Sequence, residues 1–195
     1  SSSADGVNWV TPHIIGEETD LWKDVTYGNG KFVAVGTRGI GASSTNGVNW
    51  NYYTIYASGG VTEWHSVTYG NGKFIAGGLK GAISTSTNGY NWTFEWNYIG
   101  SMSETVVWHG VAYGNGTYMA GDGDHMCLST DAKEWKFYVK GMATYTNRIR
   151  FINGLFIAVG SGISGPAVSS SVDGNKWTTV IELKKEWVMD VWGIQ

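Results

Sequence analysis

Cysteine is almost missing from this 195-residue chain: Cys127 is the only thiol and has no partner for an internal disulfide, so cysteine usage does not report the compartment. Charge is sparse as well. Asp, Glu, Lys and Arg make up 15% of residues, 13 basic against 16 acidic, for a net charge of −3. That balance supplies no broad cationic surface, which argues against a nucleic-acid partner. No apolar run approaches the roughly 20 residues of a membrane-spanning helix, and no secretory signal is legible. The chain opens Ser-Ser-Ser-Ala-Asp without an initiator Met, from which we expect a segment of something longer. Helix-favouring residues are thin, whereas Gly (29), Trp (11) and Tyr (11) abound, a mix that suits short strands and tight turns. The length allows one domain with a substantial core.

What is present in quantity is repetition, and repeats must be settled before single motifs. The stretch Trp22-Lys-Asp-Val-Thr-Tyr-Gly-Asn-Gly-Lys-Phe-Val-Ala-Val-Gly36 is followed by Ser44-Thr-Asn-Gly-Val-Asn-Trp50. The pair returns at 64–78 with 86–92, at 108–121 with 129–135, and more loosely at 148–160 with 171–177. The closing tryptophans Trp9, Trp50, Trp92, Trp135 and Trp177 are 41, 42, 43 and 42 residues apart. Trp22, Trp64, Trp108 and Trp187 open the units in step, with Thr146 where another tryptophan would stand. A period near 42 with about four strands per unit is the length of a propeller blade. Helix-pair solenoids share such periods, but nothing here has 3.6-residue periodicity.

Each unit reads as four strands, A to D, which in the first are about 22–27, 31–36, 40–44 and 48–55. Val25 and Tyr27 share one face of the first strand, Asp24 and Thr26 the other. The Gly-Asn-Gly link supplies residues that accept positive φ, as a tight hairpin needs. In the Ser-x-Asp/Asn-Gly-x-x-Trp link, the Asp or Asn side chain bonds backbone amides ahead of it while Trp fills the gap between sheets. The expected fold is all-β: a β-propeller of about five blades with about 42-residue repeats. One domain then covers 1–195, with blades 22–63, 64–106, 107–145 and 146–186, and with 1–21 and 187–195 forming an incomplete closing blade. The A-like stretch Trp187-Val-Met-Asp-Val-Trp-Gly193 would lie there, beside a notch that a neighbouring chain or a larger parent protein could fill.

On such a frame the Gly-Asn-Gly and Ser-x-Asp/Asn turns share one face, and their repetition is explained by structure. The opposite face carries the dissimilar connections, where binding residues tend to concentrate. Its short links hold Arg38, Lys80 and the run Asp122-Gly-Asp124-His125, and its longer aromatic connections hold Tyr56, Trp96 and Tyr145. Trp22, Trp64, Trp108 and Trp187 begin the inner strands nearby, either as stacking platforms for sugar rings or as packing between blades. His65 and His109 are equivalent positions that could take a metal or a ligand carboxylate, or simply lie hydrogen-bonded. Asp122, Asp124 and His125 have the look of metal or hydroxyl binders, but Gly-Asp-Gly-Asp is also an ordinary turn and no calcium-loop spacing follows. We therefore expect no metal and no cofactor. Cys127 reads as a small buried apolar residue.

The Ser-x-Asp-Gly-x-x-Trp turns resemble the Asp-box repeat of bacterial neuraminidase-type β-propellers, one residue shorter than the common Ser-x-Asp-x-Gly-x-x-Trp form and with Ala132 for glycine in the third full unit. The whole unit is similar to repeats of phage tail and receptor-binding proteins and of bacterial surface proteins. This resemblance implies a non-catalytic, lectin-like recognition module at an extracellular or virion surface, binding a glycan or cell-surface receptor through its variable loops. A sialidase-type glycosidase and a structural domain docking a partner chain stay open beside it. Sialidases use an arginine triad, a Tyr–Glu nucleophile pair and an acidic proton donor, whereas this chain has only Arg38, Arg148 and Arg150. A two-carboxylate hydrolase needs a pair about 5–9.5 Å apart, for which Asp24 and Asp190 are the inner-strand candidates.

Overall fold

The computed structural model describes residues 3, 5–9, 20–57, 63–95, 106–123, 125–139, 144–162 and 165–182. Every regular element among them is a strand, and the strands form four antiparallel meanders in chain order. The first sheet is β1 (Trp22–Gly28), β2 (Lys31–Gly36), β3 (Ile40–Ser44) and β4 (Asn51–Thr54). The second is β5 (Trp64–Gly70), β6 (Lys73–Gly78), β7 (Ile83–Ser86) and β8 (Thr93–Glu95). The third is β9 (Gly110–Gly114), β10 (Thr117–Asp122), β11 (His125–Ser129) and β12 (Lys136–Val139). The fourth is β13 (Thr144–Ile152), β14 (Leu155–Gly162), β15 (Pro166–Ser171) and β16 (Thr178–Glu182). The fourth strand of the first unit is shorter than the expected 48–55, because the residues just before it are held in a side-chain-bonded turn.

Turn chemistry sets the register. Gly28 faces Lys31, and the two residues between them, Asn29 and Gly30, have φ of 47° and 73°. Positive φ at both central positions makes the hairpin whose twist suits right-handed strands. The same pair recurs at 71–72, 115–116 and 153–154. In the outer link of the first unit, Ser44 Oγ accepts the Gly47 N–H at 2.9 Å, and Asn46 Oδ1 accepts those of Val48 and Asn49 at 3.0 and 2.9 Å. Where the residue is Asp131, the Lys133 and Glu134 amides hold its carboxyl down at about 2. The indole N–H of Trp50 returns to the Gly47 carbonyl at 3.1 Å. In the third unit Ala132 takes the left-handed conformation that glycine supplies elsewhere, with φ 64° and its methyl group buried.

The two kinds of turn are bolted together between sheets. Asn29 Nδ2 and Lys31 Nζ donate to the carbonyls of Thr87 and Asn88 in the second sheet, at 3.4 and 2.9 Å. Lys73 Nζ does the same to Asp131 in the third at 2.9 Å, and Asn115 Nδ2 to Val172 in the fourth at 3.0 Å. The core is accordingly a series of slabs. Val33, Val35, Trp64, Val67 and Phe74 fill the first interface; Ile75, Trp108, Val111 and Tyr118 fill the second; Met119, Met126, Ile149 and Phe156 fill the third. Burying a side chain of this size contributes about 1.5–3 kcal/mol, so each interface is a substantial tie.

The innermost strands β1, β5, β9 and β13 stand side by side in that order. The sheets face one another around the line these strands define: the chain is a β-propeller, seen here as four blades of about five. The stretches expected to form a closing blade, 1–21 and 187–195, lie outside the described residues, apart from residues 3, 5–9, 20 and 21.

Candidate functional site

Three inner strands carry the same irregularity. Trp22 faces Gly36 while Asp24 faces Val35, which leaves Lys23 without an opposite residue. His65 is the extra residue in β5 and Asn147 the extra one in β13. His109, just before β9, holds the equivalent place. Bulges of this kind re-aim side chains beside functional sites. Here three residue types, Lys, His (twice) and Asn, occupy one ring of positions at the loop-bearing end of the axis.

The two histidines meet edge to face, ring centroids 5.0 Å apart at 87°. His65 Nε2 lies 3.2 Å from Glu63 Oε2, and His109 Nε2 lies 3.9 Å from Asp122 Oδ1. Asp122 is itself pinned, its Oδ2 accepting the Val107 N–H at 2.9 Å. Burial lowers both imidazoles below their ordinary value of 6.5, and so do nearby cations: His109 and Lys23 act on His65, Arg148 and Lys23 on His109. Glu63 and Asp122 oppose the shift without cancelling it. The unfolded chain therefore takes up protons first as pH falls, so this contribution to stability is complete above about pH 6.5 and is lost below it. The melting temperature should fall between about pH 7.5 and pH 5.5, and the His65→Gln/His109→Gln pair should flatten that slope. Calorimetry across the range checks this, and an equally steep slope in the double variant refutes it.

Beneath the histidines a buried carboxylate ties the blades together. Asp24, Ser66, Gly110 and Arg148 are equivalent, and the first three face the following sheet. Asp24 Oδ2 accepts from Ser66 Oγ and from the Val67 N–H, both at 2.9 Å. Ser66 Oγ accepts the Val111 N–H at 3.1 Å. At Gly110 there is no side chain, and a Cβ there would stand 2.6 Å from the Ile149 nitrogen. Arg150 Nη2 donates to Asp24 Oδ1 at 3.0 Å, and Arg148 Nη1 lies 3.4 Å from Oδ2. The fourth blade thus reaches the first across the axis, onto a side chain only 5% exposed.

The residues singled out in the sequence divide into four groups. His65, His109 and Asp122 come together at the axial mouth. Trp64 and Trp108 correct the stacking expectation: both are completely enclosed between blades, Trp64 donating to the Ile55 carbonyl at 3.3 Å, and neither ring has a face for a ligand. Trp22 is partly open and packs against Tyr52 with centroids 5.9 Å apart. Arg38 and Lys80 sit at the tips of two-residue turns in the left-handed region, φ 57° each, with Arg38 Nε 3.7 Å from Asp20 Oδ1. Tyr56 and Tyr145 are exposed on the same face. His125 pairs with Asp122 across its hairpin and brings its ring to 5.4 Å from that of Phe137. Trp96, Asp124 and Trp187 lie outside the described residues.

Sequence reasoning passed over Glu63 and the joint grip of Arg148 and Arg150 on Asp24. Among the described residues, no three His, Cys, Asp or Glu converge as a metal requires. Burial pushes the Cys127 thiol up to about 12, which leaves it without nucleophilic character. No described helix is long and apolar enough to cross a membrane.

The sequence matches no family model and no curated protein. Solved structures do resemble the fold. YCF48 bound to D1 peptide aligns over 86% of this chain and 56% of its own, with 15% identity and a TM-score of 0.59. A catalytically inactive virginiamycin B lyase from Staphylococcus aureus with quinupristin aligns over 85% and 57%, with 12% identity and a TM-score of 0.66. The Neurospora crassa Pan2 WD40 domain aligns over 85% and 50%, with 8% identity and a TM-score of 0.63. The chain spans little more than half the length of these β-propellers, and identities this low speak for the fold alone.

Proposed function

We propose that this propeller is a non-catalytic recognition module whose loop-bearing face holds a glycan or another cell-surface receptor at the axial mouth. One observation carries the reading: a frame that repeats almost letter for letter places Lys23, His65 and Asn147 at equivalent bulge positions and His109 at the matching place before β9, with Glu63 and Asp122 against the histidines. Rigid sameness below and diversity above is the arrangement of a reader rather than a spacer. The exposed rings of Trp22, Tyr56 and Tyr145 add apolar surface on that face for a sugar or an aromatic side chain. The likeness of the Ser-x-Asp/Asn turns to Asp-boxes, and of the whole unit to phage tail and bacterial surface repeats, supports an extracellular or virion-surface setting.

The absence of catalysis is part of the proposal and draws on Asp24. A glycosidase would need that carboxylate free to act, whereas two guanidinium groups, a hydroxyl and an amide occupy it. The same contacts commit two of the three arginines a sialidase triad would use. A peptide or protein ligand is the second reading, favoured by a similar propeller, YCF48, having a peptide bound.

The test is a glycan array run with the parent chain and with His65→Ala/His109→Ala, alongside an assay for released sugar. Retained glycans without turnover, and binding at least about tenfold weaker in the variant (about 1.4 kcal/mol) at unchanged neutral-pH melting, are the expected results. Sugar release that disappears in Asp24→Asn would overturn the non-catalytic reading. A blank array together with a peptide ligand that the variant fails to hold would overturn the glycan reading.

A further inference from the structure

The three blade interfaces are bolted alike except in one part. In the first, Lys31 follows the hairpin: its Cδ lies 3.3 Å from where a Cβ on Gly89 would stand, and its Nζ donates to the Asn88 carbonyl at 2.9 Å. In the second, Lys73 Nζ donates to the equivalent carbonyl, that of Asp131, also at 2.9 Å. In the third, the hairpin amide is kept, Asn115 Nδ2 donating to the Val172 carbonyl at 3.0 Å, but Thr117 stands where the lysine would be. Threonine has neither the long stem nor the ammonium. A groove of about 310 Å³ opens at that place, between the third and fourth blades and at the end of the strands away from the histidines.

We infer that this groove binds the side chain of a lysine presented by a partner protein, its ammonium on the Asp173 carbonyl and its stem along Leu128. That is the position the chain's own Lys31 and Lys73 occupy at the sister interfaces. The groove shares no residue with the axial mouth, so it is a second site on the opposite face.

The walls suit this occupant. Asp131, Glu134 and Asp173 line the groove, and Lys136 is the one cation among the lining residues. The Lys133 and Glu134 amides lower Asp131, and the Lys176 and Asn175 amides lower Asp173, so both carboxyls are charged at neutral pH. Leu128, 7% exposed, packs against Gly174 with Met119 and gives the methylenes of a lysine stem an apolar wall, while the charged head stays near water. Both carboxylates are fixed by their own turns, so a ligand meets acceptors already in place.

Nuclear magnetic resonance of the full chain tests the assignment. Nα-acetyl-lysine amide, titrated into the millimolar range, should shift the amides of Thr117, Asp173 and Asn175. The analogue acetylated on its ε-amine should bind at least about tenfold more weakly, having lost its charge. Thr117→Lys should fill the groove from within, abolish the titration and raise the melting temperature by about 2–4 °C, the worth of one net hydrogen bond in a chain of this size. Equal binding of the acetylated analogue overturns the inference on the parent chain alone, whatever the variant does. A titration that survives Thr117→Lys overturns it as well, and tighter binding of glucosamine would give the groove to an amino sugar instead.

Discussion

Asp24→Ala should lower stability by about 3 kcal/mol, the low end of the range for breaking a buried ion pair, because Arg148 and Arg150 keep some solvent contact. For a chain of this length that corresponds to a fall of about 10 °C in melting temperature. The loss has three parts: two guanidinium groups left without their shared carboxylate, the Ser66 hydroxyl without its acceptor, and the Val67 amide without its cap. Asp24→Asn separates them, since its amide oxygen can still accept from Ser66 and Val67 while the charge is gone. It should fall between the parent and Asp24→Ala. Combining Asp24→Ala with Arg150→Met should cost less than the sum of the two, because the second change removes a cation the first has stranded. Thermal unfolding of the parent, Asp24→Ala, Asp24→Asn, Arg150→Met and the double variant decides the matter; additive losses would mean that Asp24 and Arg150 do not act together.

Gly70→Ala should be nearly as damaging for a different reason. The backbone at Gly70 is not in the left-handed region, yet a Cβ there would land within the Tyr113 ring, against Cγ and Cβ. Those atoms sit near the main chain and cannot swing aside. The expected cost lies at the top of the about 1–3 kcal/mol range for overpacking. Gly72→Ala is the control: nothing lies within 4 Å of its Cβ, and only its φ of 76° resists, costing about 1–2 kcal/mol. In Gly70→Ala/Tyr113→Gly the ring and the Cβ it would strike are both gone, so the pair should lose less than the two single changes added together. A Gly70→Ala chain that melts with the parent would show that the blades slide apart to make room.

The blades were legible because their signals are local. Asn29-Gly30 and its three copies announce a hairpin from two adjacent residues, and Ser44, Asn46 and Trp50 close a turn within seven. The axial site is not local. Asp24 and Arg150 are 126 positions apart, and nothing in either neighbourhood marks the partner. The bulge that lifts Lys23, His65 and Asn147 out of register leaves no sequence mark either, since Trp-x-x-Val reads equally well as regular alternation. Trp64 and Trp108 misled for a related reason. An inner-strand tryptophan suits a sugar platform and a blade interface alike, and only the position of the adjacent sheet separates the two.

The bolts between successive blades also bear on how such a chain can grow. The second and third units each carry a donor hairpin on one flank and an acceptor turn on the other, so a gene duplication of about 42 residues delivers both halves of a new joint at once. Copies of the first three units could be inserted in the interior, because each offers the glycine seat that the next aromatic ring needs. Behind the fourth unit the seat is taken by Ile152, and an ordinary copy added there would meet a branched side chain instead of open backbone.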